Sequence, residues 1–178
     1  MSGMFEDCIY LSTVPSFNTS KVTNMFRMFR GCYRLSSVPL FDTSNVTNMD
    51  GMFTYCYGLT TIPLLNTSKV TNTSYMFSGC SAITSVPLFD TSNVTDMDRM
   101  FLTCGALTSV PLFDTSSVTD MERMFYKCFA VESGALALYQ QASSQANPPS
   151  SHANAFTDCG RDTVSGAAEL AQIPDDWK

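Results

Sequence analysis

Seven cysteines, one histidine and a run of carboxylates are the side chains of this 178-residue chain that could do chemistry. Cys8, Cys32, Cys56, Cys80, Cys104 and Cys128 fall 24 residues apart, and Cys159 follows after a longer interval. Zinc takes four nitrogen or sulfur ligands, usually with C-x-x-C pairs among them. No C-x-x-C occurs, and His152 is the only imidazole. Equal spacing in stacked copies would set the cysteines about 4.8 Å apart. That is within the Cα range for disulfides, but parallel Cβ vectors give poor bonding geometry. The seven cysteines are therefore expected to form a structural ladder of buried free thiols. Nucleophilic catalysis needs a base beside the nucleophile, and His152 lies in a Pro/Ser-rich stretch beside no repeated acid. Asp90, Asp96, Asp98, Asp114, Asp120 and Glu122 could supply a glycosidase-type pair or calcium ligands, though a solvated acidic face explains them more simply. No catalytic residue, metal site or cofactor is assigned.

What positions the cysteines is a repeat. Met-Phe-x-x-Cys starts at Met4, Met28, Met52, Met76, Met100 and Met124, always 24 residues apart. A period of this length marks a stacked array of units that cannot bury an apolar face alone. Within a unit the apolar residues recur near every third position: Val46, Met49, Met52, Cys56, Leu59, Ile62 and Leu65. Neither the spacing of a helix nor the alternation of an isolated strand fits. Short extended pieces joined by bends do, and Pro39, Pro63, Pro87 and Pro111 mark the bends. Two strands per coil are expected, at Leu59–Ile62 and Val46–Met49. Asp42, Asp90 and Asp114, with Asn18 and Asn66 in the other coils, should bond nearby backbone N–H groups. Met-Phe-x-x-Cys is expected to form a helical or 3₁₀ turn, with Phe29, Phe53, Phe77, Phe101 and Phe125 buried in a column.

Residues 1–130 read as the array, its first coil incomplete, because Met1–Phe5 matches Met25–Phe29. The chain would then be a piece of a larger protein or a product with a partial first coil. Its open N-terminal coil should expose strand edges, which invites homodimer formation. Residues 131–178 read as a C-terminal cap with a natural end. It contains an inserted helix near 134–146 and a final degenerate repeat at Ala155-Phe156-Thr157-Asp158-Cys159, with Trp177 placed to cover the last apolar face.

The net charge of −6 argues against nucleic acid, which calls for a basic stripe. No apolar run approaches the roughly 20 residues of a membrane-spanning helix. No signal peptide is visible. Asn45 and Asn93 match a glycosylation pattern only because the repeat contains it. The variable positions should point outward, since the constant ones build the coil. Among them Tyr33, Tyr55, Tyr57 and Phe129 flank the cysteines, and Tyr75 and Tyr126 lie near the preceding turn. Aromatic rings on one rim suit sugar or protein binding.

Cys32-x-x-Leu35-x-x-Val38-Pro39-Leu40, Val46-x-x-Met49 and Met52-Phe53-x-x-Cys56 together resemble the BspA-type leucine-rich repeat, in its methionine-rich variant from bacterial surface lipoproteins. The resemblance covers residues 1–130. The Asp-Thr-Ser-Asn turn makes this unit about one residue longer, and the proline follows the valine directly. The resemblance implies a right-handed, leucine-rich-repeat-like parallel β-solenoid on a cell surface or secreted particle. It also implies a non-enzymatic adhesion role toward a host or neighbouring-cell protein or glycan. A structural spacer or a virion-associated display component is the alternative, and a hydrolase built on the acidic coils is a remote third.

Overall fold

The computed structural model describes residues 1–178, and successive repeats stack as a solenoid. The stacking is read from the backbone. Met25, Arg27, Phe29 and Gly31 donate their N–H groups to the carbonyls of Asn48, Asp50, Met52 and Thr54 in the next coil, at 2.8–3.0 Å. Met49, Gly51, Phe53 and Tyr55 repeat the pattern onto Asn72, Ser74, Met76 and Ser78. On the far side of the bend the direction reverses, with Thr47 and Thr71 donating back to Thr23 and Thr47 at 2.9 Å. Each coil is thus bonded only to its neighbours, which is why one coil alone could not fold.

The two expected strands per coil are absent as continuous strands. The one expected at Val46–Met49 shrinks to single parallel bridges, Asn24–Asn48, Asn48–Asn72, Asn72–Asp96 and Asp96–Asp120. The one expected at Leu59–Ile62 forms no bridge, its column pairing only at Ser109–Ser133. The Met-Phe-x-x-Cys piece is not helical either. It is a chain of consecutive turns, in which Met28, Arg30 and Cys32 donate to the carbonyls of Met25, Arg27 and Phe29. Two residues of each coil sit in the left-handed region, for example Arg27 (φ 51°) with Gly31 (φ 73°) and Gly51 (φ 61°) with Tyr55 (φ 61°). With these residues left-handed, alternate N–H groups bond the next coil as in a strand, while the intervening ones of Met28, Arg30 and Cys32 close local turns, a combination that neither a helix nor a strand provides. For residues other than glycine this costs on the order of 1 kcal/mol each, offset by the inter-coil bonds.

Side chains close what the backbone leaves open. Asn18, Asp42, Asn66, Asp90 and Asp114 accept the N–H two residues on, at 2.9–3.1 Å. A second set of such turns, not foreseen from the sequence, uses Asn24, Asn48, Asn72, Asp96 and Asp120 at 2.8–3.0 Å. Between them the buried Thr19, Thr43, Thr67 and Thr91 donate to carbonyls one coil on, at 2.7–2.8 Å.

The core is one continuous apolar column. Phe29, Phe53, Phe77, Phe101 and Phe125 are fully buried, with successive ring centroids 5.1–5.6 Å apart and planes within 11° of parallel. Phe156 continues the stack at 5.9 Å, and Trp177 lies 6.3 Å beyond it. Helix α1 (Ala135–Ser143) leaves the coil at Gly134, φ 97°, where a Cβ would come within 2.2 Å of the Val110 carbonyl oxygen. Gln141 in this helix donates to the Phe113 carbonyl, and Gln145 just beyond it donates to the fully buried Thr115, groups for which the regular array supplies no partner. Helix α2 (Val164–Leu170) faces α1, and its Glu169 carboxylate accepts the N–H groups of Gly134 and Leu136 at the α1 N-terminus. A 3₁₀ turn, Asp175–Trp177, closes the described residues. No helix is long and apolar enough to cross a membrane.

Candidate binding site

The cysteines that could have carried chemistry are held as structure. Cys32, Cys56, Cys80, Cys104 and Cys128 are buried, and each donates its S–H to a phenylalanine carbonyl of the preceding coil at 3.1 Å. Burial pushes Cys32 up to about 11 and Cys128 up to about 12, so the thiolate is disfavoured. Cys159 is buried too, whereas Cys8 is exposed and stands outside the ladder expected for all seven. His152 stacks on Trp177 at 4.2 Å and meets the Pro149 carbonyl at 2.9 Å, so it is packed as a core-edge ring.

The acidic residues are equally occupied. Asp90, Asp96, Asp114 and Asp120 serve in the two sets of turns. Asp98 and Glu122 hold the Arg99 guanidinium between them, and Arg123 adds a second contact to Glu122 at 3.1 Å. Burial raises the Asp98 carboxyl to about 6, against the opposing pull of Arg99. One of its oxygens is buried without a hydrogen-bond partner.

The six rim aromatics divide. Tyr57 lies between Tyr33 and Tyr55, at centroid distances of 5.1 and 6.0 Å, and the three rings stay 41–46% exposed. Partial burial and the neighbouring tyrosines raise the Tyr57 hydroxyl above its ordinary value. Tyr55 owes its placement to its left-handed backbone and to Gly79 one coil on, where a Cβ would lie 2.7 Å from the ring. Tyr75 turns instead into the ionic group, its hydroxyl accepting from Arg99 at 2.8 Å. Tyr126 and Phe129 make no ring contact with the trio and lie under Lys127 and Arg161.

Beside Tyr55 opens a cavity of about 400 Å³. Its walls include Arg27, Arg30, Asp50, Asn72, Tyr55 and Tyr75. Sequence reasoning missed it, because it attended to aromatic positions and not to charged ones in the adjoining columns. The signal was present in Gly51, a small residue between coils that carry Arg27 and Tyr75 at the same position, where only the first coil, with Gly3, is also small.

A second row of exposed side chains, Leu40, Leu64, Leu88 and Leu112, follows the prolines along another edge, each 54–67% exposed. This leucine position is constant over four coils, so outward direction is not confined to the variable positions. A family model described as "Mycoplasma protein of unknown function, DUF285" matches residues 1–85 and again 57–158. The chain belongs to the DUF285 family. No curated protein matches this DUF285 chain. Among solved structures it is similar to the leucine-rich-repeat protein TpLRR of T. pallidum, at TM-score 0.65 and 19% identity, over 97% of this chain and 74% of that one. A leucine-rich-repeat protein from Eubacterium ventriosum aligns at TM-score 0.49 and 22% identity, over 80% of the DUF285 chain and 36% of its own. A leucine-rich cell-surface protein from Faecalibacterium prausnitzii aligns at TM-score 0.35 and 22% identity, over 68% and 35%. The likeness to TpLRR establishes a leucine-rich-repeat fold.

Proposed function

We propose that this chain is a non-enzymatic recognition module, displayed at a cell surface or secreted, that binds a protein or glycan through its tyrosine rim. The observation that carries the reading is the Tyr33–Tyr57–Tyr55 cluster. Three aromatic residues, joined through the Tyr57 ring, remain more than 40% exposed on a chain whose core is otherwise closed. Amphipathic rings held rigidly by a backbone ladder offer contact area at small entropic cost. The cysteines of the ladder and the carboxylates of the acidic coils are engaged in structural bonds, which leaves the rim as the surface this reading uses. In this reading the array is a right-handed parallel solenoid of 24-residue coils over residues 1–130, capped by residues 131–178.

Binding to a glycan array and to host cells, with wild type beside a Tyr33→Ala, Tyr55→Ala, Tyr57→Ala triple variant, tests the proposal. At least a tenfold loss in the triple variant is expected. A wild type that binds in neither assay would favour the spacer or virion-display alternative. Equal binding by both would keep recognition and move it off this rim.

A further inference from the structure

We propose that the cavity beside Gly51 is a carbohydrate subsite, which takes the terminal sugar of a glycan whose following residues lie across Tyr55, Tyr57 and Tyr33. The inference rests on the recognition reading above and narrows its ligand to one chemical class. It starts from a single column of the solenoid. The residue two beyond the buried methionine or threonine is Arg27, Gly51, Tyr75, Arg99 and Arg123 in successive coils, all left-handed at φ 51–61°. In the later coils this column is filled and self-paired, Arg99 bonding the Tyr75 hydroxyl and pairing with Asp98 and Glu122. At Gly51 the side chain is missing, and the gap between Arg27 and Tyr75 is the cavity.

Two of the groups left facing that gap have no ionic partner. Arg27 makes no ion pair, and its guanidinium rests over the Phe26 ring at 4.6 Å. Asp50 is half-buried, with neither an ion pair nor a side-chain hydrogen bond. Burial raises its carboxyl, with Arg27 opposing, so this acceptor gains from any hydroxyl that reaches it. Asp96 forms a fixed wall, accepting from Ser74 Oγ at 2.6 Å and from Asn72 Nδ2 at 3.4 Å. Arg30 is already engaged with Glu6 at 3.0 Å and lies 5.9 Å from the Tyr55 ring centroid.

An anion entering here would meet Asp50 and Asp96, and a cation would meet Arg27 and Arg30. A neutral polyhydroxyl ligand uses both, with hydroxyls donating to the Asp50 carboxylate and the Arg27 guanidinium donating to ring or hydroxyl oxygens. The volume, at the small end of the usual 300–1,000 Å³ range for ligand pockets, suits one or two sugar rings. Tyr55 then connects the polar cavity to the exposed platform, whose ring faces can receive the C–H faces of further sugars.

The test is to refill the column. In Gly51→Arg the new side chain has the residue type and backbone conformation of Arg99 and Arg123. Its Cβ would press on Arg27 Cγ at 3.2 Å and Thr54 Oγ1 at 3.3 Å, contacts that Arg27 can yield to. Asp50→Asn and Arg27→Gln remove the polar anchors without filling space and serve if Gly51→Arg proves unstable; thermal melting of every variant checks folding. Against a glycan array, followed by titration calorimetry with the best free oligosaccharide, the inference expects wild-type binding, a loss of at least tenfold in folded Gly51→Arg and a comparable loss in the polar variants. Glycan binding that is unchanged in the folded cavity variants but lost in the tyrosine triple variant would overturn the subsite and leave the rim reading standing. Wild type that binds a protein partner or a free amino acid but no glycan would overturn the carbohydrate assignment. Wild type that binds nothing at all would sink both.

Discussion

Thr67 Oγ1 donates to the carbonyl oxygen of Asp90 at 2.7 Å, although the two residues lie 23 positions apart. The threonine is 3% exposed, so water cannot replace the bond. Thr67→Val keeps the shape and leaves a carbonyl short of its donor, at a cost of about 1–3 kcal/mol. Urea unfolding of wild type and variant measures it, and equal midpoints would show that the threonine column is not a stabilising seam.

Phe77 is stacked between Phe53 and Phe101, at 5.6 and 5.4 Å, with no exposed surface. Phe77→Ala should cost about 3–5 kcal/mol, the range for a large aromatic removed from a packed core. A loss below about 1 kcal/mol by the same measurement would contradict the burial of the column.

The thiols should divide six to one. In the native protein a bulky alkylating reagent should modify Cys8 quickly and the six buried cysteines slowly, and all seven should react after denaturation. The buried thiols also set an alkaline limit. Their folded values lie above the ordinary 9, at about 11 for Cys32 and about 12 for Cys128, so the folded state holds protons that the unfolded state releases. Stability is therefore intact below pH 9 and declines as pH rises through this window. A stability profile that stays flat to pH 11 would refute the assignment.

Asp98 should give the acid-side counterpart. Its carboxyl is raised from 3.8 to about 6, chiefly by burial. The neutral form is favoured on folding, so its contribution is fully present below about pH 4 and is lost as pH rises through 6. Asp98→Asn should flatten that segment of the stability profile and be more stable than wild type at pH 7.5. A less stable variant there would mean that the ion pair with Arg99 outweighs the burial.

Much of the fold was legible because a period of 24 turns one observation into six. Val46, Met49, Met52, Cys56, Leu59, Ile62 and Leu65, selected by spacing, are all buried. Asp42, Asp90 and Asp114 hold their turns as their chemistry suggested. The column Asn24, Asn48, Asn72, Asp96, Asp120 carried an equally regular signal and was overlooked. The left-handed positions were not legible, since Arg27, Tyr55, Thr103 and Lys127 have no composition that favours φ above zero. Inter-coil bonding imposes that conformation, and single bridges stand where the Val46–Met49 strand was expected. At the rim, outward direction could be read for Tyr33, Tyr55 and Tyr57, but which rings meet depends on the depth of each turn. Tyr75 was drawn away by Arg99, a partner 24 residues distant in sequence.

The ladder repeats the same bonds between successive coils of the regular array, from Met25 onto Asn48 and from Met49 onto Asn72. Duplication or loss of one coil's worth of codons within that array would rejoin equivalent carbonyls, threonines and phenylalanines in register. Such a gene could lengthen or shorten its product without redesigning an interface. The Gly51 gap would be copied or discarded with its coil, so the cavities along the surface could change faster than the fold.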